Sequence, residues 1–291
     1  MMDASWGIDF LLATIRAATP LIYCALGVLI AERVGVSYLG VEGMMLTGAL
    51  TAILGTIFGG SIWAGVLITL IVGIIMGIII AAITVYLPTD QVVVGIAFNL
   101  AALGVTSYVF RLAGNRAQEM IPMMKPLIFR FSPFEVMAFI LAVFMWWFLF
   151  KTAPGLKMRS VGENAHAADA AGIDVIKVRF ITLIIASVLS ALGGAALTVG
   201  WVRVFTDNIT LGRGFIALAA VYFGKWNPIL SSIAAVIFGA GEALAFRSQA
   251  LGSFLNSYYY FMLPYVLTLL VVGLTGQTKG PADVGKLYIR R

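Results

Sequence analysis

Charge is what this sequence has least of. Of 291 residues only 11% are charged while 61% are hydrophobic, and the mean hydropathy is +1.02. Soluble domains carry about a quarter charged residues, so a water-soluble enzyme or free binding module is excluded. Cysteine and histidine are nearly missing too: Cys24 and His166 are single occurrences. One of each cannot build a His/Cys metal site, and no HExxH, CxxC or GxSxG occurs. Cys24 falls inside the first apolar run and reads as packing, not as half of a disulfide. G-x-x-x-x-G-K-[ST] is absent as well, so the chain has no P-loop to cradle ATP phosphates. Any ATP hydrolysis that drives it belongs to another chain, and no catalytic residue, cofactor or metal is implied.

What is present is a series of apolar runs at about 8–31, 39–58, 62–87, 92–110, 134–150, 180–202, 214–224, 228–246 and 258–274. Several approach the ~20 residues of a spanning helix. They do not alternate as barrel strands would, so the chain reads as an all-α polytopic membrane protein of about 8–10 transmembrane helices. The acidic flank MMDAS, with Arg16 and Pro20 inside the first run, is unlike a cleavable signal, so that run is expected in the mature protein. The formal charge of +6 comes from residues between the runs and at Lys279, Lys286, Arg290 and Arg291. Orientation in the membrane explains this excess without a nucleic-acid partner.

The most polar stretch is Arg159 to Phe180, RSVGENAHAADAAGIDVIKVRF, with six charges and the only histidine. Lys151, Lys157, Arg159, Lys177 and Arg179 outweigh Glu163, Asp169 and Asp174, which places the 151–179 segment in the cytoplasm. The segment before it, 111–131, then lies on the far side although it carries Arg111, Arg116, Lys125 and Arg130 against only Glu119. Ser160 and Glu163 fit a capping box, predicting one short helix over 161–171 that stops at Gly172, with Asp174 capping the next. Alanine-rich and capped, it is either a solvated connector or a rigid knob for a groove on a partner.

Two segments, 34–55 and 210–228, are short, punctuated by glycine and interrupted by a charge at the start. They read as broken or re-entrant helices, which the membrane tolerates only where backbone faces protein or a polar cavity. Setting Gly43 on Gly214 puts Glu42 on Arg213, the outline of an internal repeat. Glu42 is therefore a candidate for the transport pathway, or else an interfacial carboxylate or the partner of Arg213. Gly43, Met44, Gly214 and Phe215 complete that candidate lining. Asn99 and Thr106 share one helix face and either line the pathway or bind helices together. Glu242 ranks below Glu42 for the pathway, because it fits a membrane edge with Arg247 beyond it equally well. GTIFG (55–59), GIIMG (73–77) and ALGGAA (191–196) predict close helix contacts, and Trp146, Trp147 and Tyr258 to Tyr260 interfacial belts.

The stretch GLKMRSVGENAHAADAAGIDV resembles the cytoplasmic coupling segment of bacterial ABC importer permeases of the ribose, branched-chain amino acid and nucleoside group. The family pattern runs roughly G-x-x-x-R-x-x-G-x-N-x-x-A-A-x-x-x-G-I, met by Gly155, Arg159, Gly162, Asn164, Ala167, Ala168, Gly172 and Ile173. TPLIYCALGVLIAERVGVSYLGVEGMMLTGA, TDQVVVGIAFNLAALGVTSYVF, GRGFIALAAVYFGKWNP and LPYVLTLLVV are similar to the nucleoside branch, so the resemblance extends over nearly the whole chain. It departs where Ser37 and Tyr38 stand in place of the usual Asn before I-G-x-E-G, which puts an ordinary nucleoside substrate in doubt.

The resemblance implies a type II-like permease, a single transmembrane domain over 1–291. ATPase-coupling residues would be Arg159, Gly162, Glu163, Asn164, Ala167, Ala168 and Gly172. It further implies a separate ATP-binding cassette ATPase, a second permease subunit in a heterodimer, an extracytoplasmic solute-binding protein, and a place in the bacterial inner membrane among its lipids. Riboflavin, a sugar or a branched-chain amino acid are the alternative cargoes. An ion-coupled secondary carrier is the alternative machine.

Overall fold

The computed structural model describes residues 4–87, 89–114, 120–121, 124–127, 130–250, 262, 266 and 280–288. Ten α-helices fill the described residues, and seven of the helical segments are long and apolar enough to cross a membrane. They are α1 (Ala4–Arg33), α2 (Val41–Gly59), α3 (Ile62–Tyr86), α4 (Gln91–Ala113), α5 (Pro133–Lys151), α8 (Val175–Ala195) with its π-helical extension Ala196–Val202, and α10 (Pro228–Ala250). Between them lie the short α6 (Ala153–Glu163), α7 (Ala165–Ala170) and α9 (Arg213–Phe223). The 258–274 run and the Tyr258 to Tyr260 belt lie outside the described residues, as do Arg116 and Glu119.

Helix α1 is the axis of the bundle: 83% of its spanning window is buried, against 17% for α4. It can be buried so deeply because its neighbours present almost no side chain. A Cβ on Gly193 of α8 would lie 2.5 Å from Cys24 Sγ and 2.9 Å from Pro20 O, and one on Gly239 of α10 would lie 2.7 Å from Ala18. The close contacts expected of the small-residue stretches are present: Gly73 and Gly77 of α3 face Ala191 and Ser187 of α8, and Gly55 meets Gly65 across the α2–α3 turn. Gly77→Leu should therefore separate α3 from α8, because a Cβ there already falls 2.9 Å from Ser187 Cβ. Overpacking of this kind costs about 1–3 kcal/mol. A lowered melting temperature in detergent is the expected result, while Gly104→Leu, with nothing within 4 Å, should leave it unchanged.

Contacts between helix ends define two faces. Ile121 N–H donates to Arg203 O at 3.0 Å, and Arg130 pairs with Asp9 at 3.1 Å, bringing the starts of α1 and α5 and the end of the π-helical segment to one face. Arg111 meets Asp207 at 3.9 Å on the same side and Arg16 meets Glu135 at 3.6 Å. These carboxylates from other elements offset much of the positive charge that the sequence concentrates there. The opposite face carries the end of α1, helices α6 and α7, the starts of α4 and α8, and the tail 280–288.

The two segments expected to be broken differ from each other. In the first, the break falls before Val41, at 34–40, and α2 then runs unbroken for 19 residues. The second holds α9, whose 11 residues span only ~16 Å at 1.5 Å per residue, about half a bilayer core. Positive-φ turns bracket it: Asn208, Leu211 and Gly212 before it, Lys225 and Trp226 after it. Non-glycine residues adopt this region rarely. They do so here because the chain must reverse at both ends of a half-length helix.

Candidate functional site

The polar stretch builds a platform from two helices, where the sequence predicted one. Thr152 Oγ1 accepts from Gly155 N–H at 3.3 Å and opens α6. Ser160 does not cap: it lies inside α6, and its hydroxyl donates to Leu156 O at 2.9 Å. The break comes at Asn164, an extended residue (φ −155°) whose Oδ1 accepts from Ala167 N–H at 2.9 Å. Asparagine is as good an N-cap as serine, and here it is the one with non-helical backbone. Helix α7 ends as expected at Gly172 (φ +82°): Ile173 N–H reaches Ala168 O at 3.0 Å and Gly172 N–H reaches Asp169 O at 2.8 Å, the double bond of a Schellman stop. Asp174 Oδ1 then caps α8 through Lys177 N–H at 3.1 Å.

This geometry divides the seven coupling candidates. Glu163, Asn164, Ala167 and Gly172 are exposed, and Ala170 and Ala171 extend their surface. Ala168 is only 4% exposed and faces the chain itself, so its smallness is explained without a partner. Gly162 is likewise buried, its Cα against the carbonyl of Arg33 at the end of α1. Arg159 is half-buried, with its guanidinium 5.0 Å from the Phe150 ring, and Arg33 approaches the same ring at 5.6 Å.

Deeper in the bundle the two interrupted segments meet at one carboxylate. Glu42, in the first turn of α2, accepts from Thr210 Oγ1 at 2.6 Å and Gly212 N–H at 2.8 Å through Oε1, and from Gly214 N–H at 2.7 Å through Oε2. It thus caps α9 across the fold, satisfying amides that a helix start leaves unpaired and placing negative charge at the positive end of the helix dipole. Arg213 is not its partner. That guanidinium turns to Glu242, with Nε donating at 2.7 Å, and to Ile209 O at 2.7 Å. Glu242, ranked below Glu42 from the sequence, is buried in this ion pair.

Asn99 pins the other side of the junction: Oδ1 accepts from Gly43 N–H at 2.8 Å and Nδ2 donates to Leu39 O at 2.9 Å. It lies eight residues into α4, so the junction sits ~12 Å inside the helix end. Glu42 and Asn99 remain half-exposed and Phe215 is 44% exposed. The other four lining candidates are enclosed within the subunit. Met44 is 0% exposed, Thr106 is 3% exposed and bonds Ala102 O, Gly43 packs on Asn99, and Gly214 packs on Glu42. Tyr38 is 2% exposed, its hydroxyl within 3.1 Å of Ser187 Oγ, so the departure from the family pattern lies against α8. Asn99→Leu should strand Gly43 N–H and Leu39 O, at about 1–3 kcal/mol for each unsatisfied group. The expected result is a lower melting temperature with uptake per folded complex falling further than stability does.

Three participants went unread in the sequence. Thr210 and Gly212 contribute through a hydroxyl and a backbone amide, which leave no charge pattern. Asp283 is partly buried against the platform and accepts from Ala165 N–H at 2.8 Å. Burial raises its pKa, but the Ala165 bond, Lys286 and Arg179 outweigh burial and hold the carboxyl below its ordinary value. The signal was there: Asp283 is the single acid in the basic tail TKGPADVGKLYIRR.

The chain is 36% identical to the guanosine ABC transporter permease protein NupQ of Bacillus subtilis, over 96% of this chain and 95% of the relative. It is 31% identical to the nucleoside ABC transporter permease protein NupC of Lactococcus lactis, over 94% of each. It is 32% identical to TsgC13 of Haloferax volcanii, whose naming as a glucose ABC transporter permease protein is itself provisional, over 85% of this chain and 80% of the relative. No solved structure matches. With residues 10–272 matching the family described as branched-chain amino acid transport system / permease component, and with spanning helices arranged around two interrupted segments, the chain belongs to that permease family.

Proposed function

We propose that this chain is the membrane-spanning subunit of an ATP-binding cassette importer for nucleosides, seated in a bacterial inner membrane with α6 and α7 in the cytoplasm. The observation that carries this reading is the α7 platform. It is a six-residue helix, capped at both ends, displaying alanines outside the bundle on a chain of the permease family. A separate ATPase docks there, and its cycle reaches the pathway through the fold.

The nucleoside cargo is supported by the relatives named for guanosine and for nucleosides, which match over nearly the full chain. Tyr38 does not oppose it, since its side chain is packed away from the half-exposed Glu42, Asn99 and Phe215. A second permease chain is supported by polar groups on the outer side of the subunit. Thr47 and Thr51 of α2 and Asn99 of α4, each hydrogen-bonded within the chain, leave polar surface half-exposed on the spanning helices, where contact with hydrocarbon is costly. A facing subunit and the aqueous path between the two would cover them. An extracytoplasmic binding protein would deliver cargo to the face bearing Arg203 and Ile121.

The test is competition. Proteoliposomes holding this chain, its co-encoded permease, ATPase and binding protein should take up labelled guanosine. Excess adenosine or inosine should block that uptake; glucose, leucine and riboflavin should not. Inhibition by glucose alone would move the cargo to sugars.

A further inference from the structure

We infer that the C-terminal tail is a strap that carries movement of α7 to the interrupted segment bearing Glu42, with Asp283 as its positioning residue. This rests on the coupling role proposed for α7.

Three residues of the tail, Asp283, Gly285 and Lys286, touch five parts of the fold. Asp283 Oδ2 accepts from Ala165 N–H, the first amide of α7, at 2.8 Å, and Asp283 N–H donates to Gly162 O of α6 at 2.9 Å. Two residues on, Gly285 N–H donates to Gly35 O at 3.2 Å, at the start of the 34–40 segment. Lys286 O accepts from Arg179 Nη1 of α8 at 3.3 Å and from Gln91 Nε2 of α4 at 3.5 Å. Both of those side chains also hold the interrupted segment: Arg179 Nε donates to Val34 O at 3.1 Å, and Gln91 Oε1 accepts from Ser37 N–H at 2.8 Å. A second contact from α7 ends on the same tail, the His166 ring lying 5.1 Å from that of Tyr288 and tilted at 48° to it.

Helix α7 is too short and too poor in bulk to transmit force by packing, since only Ala165 and Ala168 of its six residues are buried. What it has is a charge-assisted bond at its first amide, and such bonds are about twice as strong as neutral ones. The tail is seated closely as well. Gly35 adopts φ +81°, and a Cβ there would lie 2.8 Å from Arg179 Nη2 and 3.1 Å from Asp283 O. Displacing α7 therefore displaces Asp283, and through Gly285, Arg179 and Gln91 the seven residues 34–40 that precede Val41. Glu42 and α9 follow directly.

The experiment compares the complete reconstituted importer carrying wild-type chain, Asp283→Ala, Asp283→Asn and Lys286→Ala. Readouts are ATPase co-purification, ATP turnover and guanosine taken up per ATP hydrolysed. Asp283→Ala should keep the ATPase bound and turning over while uptake per ATP falls roughly tenfold, the equivalent of one lost charge-assisted bond. Asp283→Asn retains a neutral acceptor for Ala165 N–H and should recover part of the ratio; Lys286→Ala leaves the backbone acceptor in place but removes the Nζ that pairs with Asp283 Oδ1 at 3.1 Å, and should fall between wild type and Asp283→Ala. An Asp283→Ala ratio equal to wild type would overturn the strap. So would a loss of uptake that merely tracks loss of folded complex, or an Asp283→Asn variant no better than alanine. A wild-type complex that transports without ATP would instead overturn the coupling role itself.

Discussion

Glu42→Ala should abolish most uptake, by roughly a hundredfold per folded complex, and lower the melting temperature as well. Three donors converge on this carboxylate: the Thr210 hydroxyl and the Gly212 and Gly214 amides. Removing it at bilayer depth leaves all three without a partner, at about 1–3 kcal/mol each. Helix α9 cannot compensate, because it has only 11 residues and its start is already set in turns of positive φ at Leu211 and Gly212. Glu42→Asp is shorter by one methylene and should reach either α9 or Thr210 but not both. Glu42→Gln presents one oxygen and one NH2 group, so it should fall between wild type and alanine. Uptake and thermal denaturation measured on the same preparation check this series. An alanine variant with wild-type uptake would remove the junction from the transport cycle.

Ala167→Trp should detach the ATPase while leaving the permease folded. Ala168→Trp should do the reverse and unfold the platform first. The two residues are adjacent in sequence, but Ala167 is exposed and Ala168 is 4% exposed. Indole on Ala167 meets only what docks from outside. On Ala168 it must displace the chain's own packing, and overpacking of that kind costs about 1–3 kcal/mol or more. Co-purification of the ATPase and the melting temperature, read side by side, separate the cases. An Ala167→Trp complex that holds its ATPase normally would make α7 a connector.

How much of this was legible follows from what each residue leaves in a one-dimensional pattern. Spanning helices announce themselves by run length, so eight of the nine apolar runs anticipate α1 to α5 and α8 to α10, while the ninth, 258–274, lies outside the described residues. Gly172 and Asp174 were readable because a Schellman stop and an N-cap are local devices. Ser160 was misread because a capping pattern records only spacing, and whether the backbone is helical at that serine depends on Thr152 and Pro154 having already started α6. The partners of Glu42 were hidden for a different reason. Its bonds go to backbone amides 170 and 172 residues away, and neither leaves a side-chain signature, whereas Arg213 offered a charge and drew the eye. Ala168 shows the limit of family patterns: a small residue marks a constraint, and only the packing tells whether that constraint is internal.

The central claim, an ATP-driven importer subunit coupled through α7, is tested most directly by guanosine uptake in proteoliposomes containing the full complex, with ATP inside or absent and with or without a protonophore and a sodium ionophore. The account predicts uptake that requires ATP and a catalytically competent ATPase and is indifferent to the ionophores. Uptake by this chain without its ATPase, collapsing when the ionophores are added, would contradict it and identify an ion-coupled carrier instead.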